Sequence, residues 1–296
     1  MLDYGLLAAL AAVVRTGSFE RAADQLNITP SAVSQRIKLL EERIGAILVV
    51  RGQPCTATEA GQRLCQHVEL VALLESSLRQ NLPGFQPEGR PVTLRIAVNA
   101  DSLATWFVPA MAETSGFLFD LVVDDQDHSA EWLRRGEVVA AVTSHGKPVQ
   151  GCDSYPLGTL RYLATASPSF VGRWLPDGLN EHSAAHAPCL VFNRKDRLQA
   201  LWLRRALGAD VTPPVHWLPS SQAFVDAALA GLGWGMNPES MVQEHIRAGR
   251  LVALEPSDPL EVPLFWQQSR IVGPLLGDLT RAVVATARTM LSPMPP

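Results

Sequence analysis

The chain lacks several features that would have pointed elsewhere. Only four cysteines occur in 296 residues: Cys55, Cys65, Cys152 and Cys189, far apart and with no CxxC pair. Such a set reads as reduced thiols, not a disulfide framework. No apolar run reaches the ~18 residues a membrane span needs, and the N-terminus has no basic start before an apolar core. A cytoplasmic protein is therefore expected. The GxSxG, HExxH, GxxxxGKS/T and strand-following GxGxxG signatures are missing too, which argues against the commonest enzymes. His182 and His186 have the i, i+4 spacing of a metal pair, but no acid or cysteine stands beside them and the stretch reads as a loop. Cys55 and Cys65, with His67 nearby, read as small buried apolar groups. No catalytic residue, metal or cofactor is expected.

Bulk positive charge is also absent. The net charge is −4, and residues 1–65 carry seven Lys/Arg against six Asp/Glu. Any contact with nucleic acid must then rest on where single cations sit. There is no internal repeat and no low-complexity tract. A hydrophobic content of 47% with 18% charged residues describes well-cored globular units, and the length suits two or three of them.

What is present concentrates between Ser18 and Gly61. Ser18 can cap a helix whose apolar residues Phe19, Ala22, Ala23 and Leu26 recur at helical spacing. Asn27 and Ile28 carry a turn. Thr29 caps a second helix, with Pro30 at its first position, where a missing N–H costs nothing. That helix is expected to bury Val33, Ile37, Leu40 and Ile44, and to turn Ser31, Ser34, Gln35 and Lys38 outward. Two amphipathic helices joined this way form a helix-turn-helix, whose second helix reads a major groove. Arg36, Lys38 and Arg43 on that helix, with Arg51 in a short β-rich wing, are the cations available. A helical hairpin with a solvated face is the bland alternative.

From Thr58 to Leu82 one long helix carries Leu64, Val68, Val71, Leu78 and Leu82 near a 3.5-residue period, interrupted by Glu75, a stripe suited to a copy of itself or, alternatively, to packing onto the chain's own domains. Residues 83–91, PGFQPEGRP with its flanking prolines, read as a hinge. Beyond Pro91, strands and helices alternate: VTLRIAV, LATWFVPAMAET, FLFDLVV, SAEWLRRGE, VVAAVTS, then LRYLATAS, PCLVFN, LQALWLRRAL, VHWLPS, SQAFVDAALAGLG and a last helix through VVATARTML. Two successive crossover units predict a parallel sheet covered by helices.

Ligands in such sheets sit beyond the carboxyl ends of strands. This rule selects Asn99, Ala100, Asp101 and Ser102, which open a helix suited to a carboxylate, although Asp101 or Ser102 is also expected to cap it. It selects Asp124 and Asp125, an ordinary turn if exposed, or a grip on an ammonium or guanidinium if they face a cleft. It further selects Thr143 and Ser144, then Phe192 and Asn193, then Ser220 and Ser221. Trp106 either walls this cleft or packs in the core.

The run GSFERAADQLNITPSAVSQRIKLLEERIG, followed by LVVR and TEAG, resembles the winged DNA-binding domain of LysR-type transcriptional regulators. It covers about the first fifth of the chain. The resemblance implies a winged helix-turn-helix over 1–61, a dimerisation helix over 58–82, the hinge, and a periplasmic-binding-protein-like effector domain over 92–296. That α/β domain would have two lobes, about 92–160 with 267–296 and about 161–266. It implies DNA contacts from Thr29, Pro30, Ser31, Ser34, Gln35, Arg36, Lys38 and Arg51 to an inverted-repeat operator, a dimer or tetramer, and contact with RNA polymerase. AVNADSLATWFVPAMA, VVDDQ, LRRGEVVAAV and SSQAFV are similar to the ArgP (IciA-type) branch of that family, which responds to lysine and arginine and controls basic amino acid export. FNRKDRLQ departs from this pattern, placing Arg194 and Lys195 where an uncharged-to-acidic stretch is expected, with only Asp196 retained. An architectural DNA-binding protein that restrains DNA opening, or a regulator with another small-molecule effector, is the alternative.

Overall fold

A computed structural model describes residues 2–81, 92–125, 129–255 and 258–294, in two compact units, Met1–Val92 and Thr93–Pro296. The expected hinge and Leu82 lie outside the described residues. Among the described residues no helix is long and apolar enough to cross a membrane.

The first unit packs α1 (Tyr4–Thr16), α2 (Phe19–Leu26) and α3 (Pro30–Ile44) around Leu7, Leu10, Val13, Ala22, Ala23, Val33, Ile37 and Leu40. Local chemistry fixes the helix ends. The Ser18 hydroxyl accepts from the Arg21 N–H at 3.3 Å, and that of Thr29 accepts from the Ala32 N–H at 3.2 Å. Asn27, at φ +52, makes the left-handed turn between α2 and α3. One expectation fails here. Ile44 is 40% exposed, the last residue of α3 before the left-handed Gly45 that ends the helix.

The wing is a two-stranded ribbon, β1 (Val49–Val50) against β2 (Thr56–Ala57). Glu41 of α3 holds it by accepting the Leu48 N–H at 2.8 Å. The next helix, α4 (Glu59–Asn81), starts so close to the wing that a Cβ on Gly61 would lie 2.1 Å from the Leu48 carbonyl oxygen. Only glycine fits there. The apolar stripe of α4 divides: Leu64 and Val68 pack on the core of this unit, whereas Leu74 and Leu78 are 42% and 60% exposed.

The second unit contains β3 (Val92–Val98), then α5 (Ala100–Ser102), a π-helical turn (Leu103–Phe107) and α6 (Val108–Ala112), then β4 (Phe117–Val123), α7 (Ser129–Arg134) and β5 (Ala140–Thr143). These are followed by β6 (Cys152–Ala166), α8 (Pro168–Trp174), α9 (Glu181–His186), β7 (Cys189–Val191), α10 (Leu198–Leu207), β8 (Val215–Trp217) and α11 (Ser221–Leu229). The chain closes with β9 (Gly235–Pro238), α12 (Glu239–Arg247), β10 (Val252–Ala253), β11 (Leu260–Ser269) and α13 (Gly277–Met290).

The parallel expectation holds only in part. β3 pairs β5 in parallel, and β7 pairs β8 in parallel. Between them run two long antiparallel strands. β11 pairs β5 through Phe265–Gln268 and β6 along its whole length, while β6 carries β9 and β10 at its other end. The sheet order β10-β6-β11-β5-β3-β4 therefore passes unbroken from one α/β lobe to the other. Two strands crossing between lobes form a shared spine, and the loops at the carboxyl ends of β3, β4 and β7 face each other across it. The region of His182 and His186 is the short helix α9, not a loop, and among the described residues no three His, Cys, Asp or Glu side chains converge as a metal site requires.

Candidate functional site

The outward face of α3 carries Ser31, Gln35 and Lys38, all exposed, with Ser34 and Arg36 half-buried. Thr29 and Pro30 are exposed at its start. Exposed salt bridges tie Lys38 to Glu42 at 3.9 Å and Arg43 to Asp3 at 3.3 Å. Such pairs are weak and exchange readily for phosphates. The Arg51 guanidinium lies 5.3 Å from the Phe19 ring centre, so cation–π contact orients the wing cation.

In the second unit a small cleft opens between the lobes, the usual place for a ligand in a two-lobed α/β fold. The first lobe lines it with Asn99, Ala100, Asp101, Asp124 and Asp125. The second contributes Phe192, Asp196, Leu198, Ser221, Phe224 and the β9 stretch Met236, Asn237, Pro238. Four carboxylates thus border one small cavity, and none of these residues is cationic.

Asp101, Asp124 and Asp196 are each held in place by hydrogen bonds. Asp101 accepts from the Tyr162 hydroxyl at 2.8 Å and the Ser221 hydroxyl at 2.6 Å. Burial pushes its carboxyl above the usual range, against the pull of these two donors, and nearby Asp196 and Asp125 add to the rise. Burial and the adjoining Asp101 raise the Tyr162 phenol well above its ordinary value, so Tyr162 is the donor. Burial also raises Asp124, but bonds from Lys195 Nζ at 2.8 Å, Trp132 Nε1 at 2.9 Å and the Asp125 N–H at 2.8 Å outweigh it and hold the carboxyl low. Asp196 accepts from the Phe192 and Leu198 N–H groups, both at 3.0 Å. Asn99 and Asn237 each leave a buried side-chain oxygen without a partner among the described residues. Buried polar atoms at a cavity wall are natural contacts for a bound polar molecule.

Not every selected residue reaches the cleft. Trp106 is fully buried, edge-on to Phe107 in the core. Ser102 is buried one step beyond Asp101, and neither residue caps the helix. That position is Asn99, which makes no side-chain cap bond. Thr143 is buried under the sheet, where it bonds to the His145 carbonyl and receives Gln267 Nε2, and Ser144 next to it is not among the lining residues. Asn193 instead shapes its loop by accepting the Lys195 and Asp196 N–H groups, and Ser220 caps α11. The sequence reading noted Asp196 only as the retained acid of FNRKDRLQ, and it did not select Leu198, Phe224 or β9 as lining. Only Asp196, three residues beyond Asn193, carried a local signal.

Comparison with known proteins agrees with this architecture. Residues 4–62 match the bacterial regulatory helix-turn-helix domain of the lysR family, and residues 87–288 match the LysR substrate binding domain. The chain belongs to the LysR family of transcriptional regulators: it is a DNA-binding protein with a small-molecule effector domain, not an enzyme. Among its relatives, the transcriptional regulator ArgP of Pseudomonas fluorescens is 45% identical over 297 residues, 99% of this chain and all of that protein. The crystal structure of ArgP from Mycobacterium tuberculosis superposes with a TM-score of 0.83 at 44% identity, covering 99% of this chain and 100% of that one. Full-length LysG from Corynebacterium glutamicum, solved with its effector Arg bound, gives 0.70 at 39% identity over 99% and 100%.

Proposed function

We propose that this regulator senses a basic amino acid, L-lysine or L-arginine, and controls genes for amino acid export. The observation that carries the reading is the convergence of Asp101, Asp124, Asp125 and Asp196 on one cleft. A ligand with two cationic groups and one carboxylate complements that wall. Its carboxylate is assigned to the first-turn N–H groups of the helix that begins at Ala100, which lack intrahelical partners, and its side-chain cation to Asp124. The arginine-bound relative supports the same ligand class. Calorimetry with lysine, arginine and norleucine tests it. Norleucine has the shape of lysine without the charge, and equal binding of norleucine reopens the ligand class. Asp124→Asn should weaken both basic ligands by ~1.5–3 kcal/mol, the worth of hydrogen bonds to a charged group.

DNA reading is assigned to α3 and the wing, with two subunits joined through α4 on the half-sites of an inverted repeat. Ser34→Ala with Gln35→Ala should cost ~1–3 kcal/mol per lost base contact at the operator and leave random DNA almost unaffected. A salt-matched titration in which discrimination is unchanged would remove these residues from the base-reading set. The effector acts only insofar as it binds one arrangement of the lobes better than the other.

A further inference from the structure

The acid assigned to the ligand's cation already has a cation. Lys195 Nζ lies 2.8 Å from Asp124 Oδ1. Asp124 follows β4 in the first lobe and Lys195 follows β7 in the second, so the pair bridges the mouth of the cleft. The two partners differ in freedom. Trp132 Nε1 and the Asp125 N–H hold the Asp124 carboxylate, whose side chain is 16% exposed. The Lys195 backbone is pinned by Asn193 Oδ1 at 2.7 Å, while its side chain is 47% exposed and can swing into solvent. The neighbouring cation is diverted elsewhere, since the Arg194 guanidinium lies 5.8 Å from the Trp217 ring centre.

Resting on the basic-amino-acid reading, we propose that Lys195 is a tethered competitor for the effector. Its ammonium occupies the position of the ligand's side-chain cation, and an incoming lysine or arginine must displace it from Asp124. Binding then exchanges one ion pair for another, and the apparent affinity is reduced by the fraction of molecules in which the Lys195–Asp124 bridge is closed. A tethered ammonium raises the effector concentration at which the regulator responds, without altering the pocket wall.

The test is calorimetry of the full chain with L-lysine, L-arginine and norleucine for the wild type, Lys195→Met, Lys195→Arg and Asp124→Asn, and for Lys195→Met combined with Asp124→Asn. Thermal melts would confirm that each variant folds. Lys195→Met should bind lysine and arginine about two- to fivefold more tightly, the range of a part-exposed ion pair. Lys195→Arg should stay near the wild type, and norleucine should not improve. In the Asp124→Asn background the Lys195→Met change should have no effect, because the two residues act through one contact. Unchanged affinity in Lys195→Met overturns the proposal. So does weaker affinity, which would make Lys195 a direct partner of the ligand's carboxylate. If the wild type binds neither basic amino acid, the sensing reading itself fails and takes this one with it. If the wild type binds both and Lys195→Met is no tighter, only the competitor is lost.

Discussion

Leu78→Glu is expected to convert the protein to monomers and lower its affinity for the operator by two to four orders of magnitude. Leu74 and Leu78 lie one turn apart on one face of α4, exposed although apolar, while Leu64 and Val68 are already committed to the core of the DNA-binding unit. Residues four apart on a helix form a single patch, and an apolar patch on a long helix is covered most simply by its own copy about a two-fold axis. A glutamate there sets two like charges against each other in every dimer. Leu78 lies outside the core that holds α1 to α3 together, so the DNA-binding unit should fold unchanged. A monomer grips one half-site at a time and forfeits the effective concentration that links the second, worth 10²–10⁴ in avidity. Light scattering and an operator titration at matched salt check this together. A variant that remains dimeric and binds the operator normally would mean that α4 does not join the subunits.

Local chemistry made much of this molecule legible. Ser18 and Thr29-Pro30 announce their helices because a cap needs only residues three apart, and Asn27 marks its turn by tolerating positive φ. The first lobe could be read for the same reason, since β3, β4 and β5 are short apolar runs separated by helices. The spine could not. β6 and β11 are joined across a hundred residues, and Pro156, Gly158 and Pro263 interrupt the patterns that would have announced them. Gly158, at φ +138, and the register shift between Leu264 and Phe265 sit where the strands pass from one lobe to the other. Partners distant in sequence decided the remainder. Thr143 looks like a ligand residue until Gln267 covers it. Arg194 and Lys195 look like a defect in an acidic site until Trp217 and Asp124 receive them.

Asp101→Asn should reduce affinity for lysine and arginine by ~2–5 kcal/mol, the cost of leaving a buried charge without its partner, yet it should not destabilise the unliganded protein at neutral pH. The carboxylate sits at the cleft wall with Tyr162 and Ser221 donating to it. An amide retains one acceptor there and removes the charge. The sign follows from the raised carboxyl. A carboxyl whose folded pKa exceeds the unfolded value of ~3.9 holds its proton longer in the native state. Its ionisation therefore costs stability as pH rises through the window between the two values, and the full cost is present above it. The asparagine variant carries no such cost, so its advantage over the wild type should grow as pH rises through that window and shrink as pH falls toward 4. Asp124, whose carboxyl is held low, contributes the opposite slope in both proteins and cancels from the difference. Ligand binding should show the same charge. Wild-type affinity for lysine should rise with pH through the folded pKa of Asp101, and the variant should lose that rise. Denaturation and calorimetry between pH 4 and 7.5 measure both effects. Wild-type affinity in Asp101→Asn, or a variant less stable than the wild type at neutral pH, would show that Asp101 ties Tyr162 and α11 together as a structural residue and does not face the ligand as a charge.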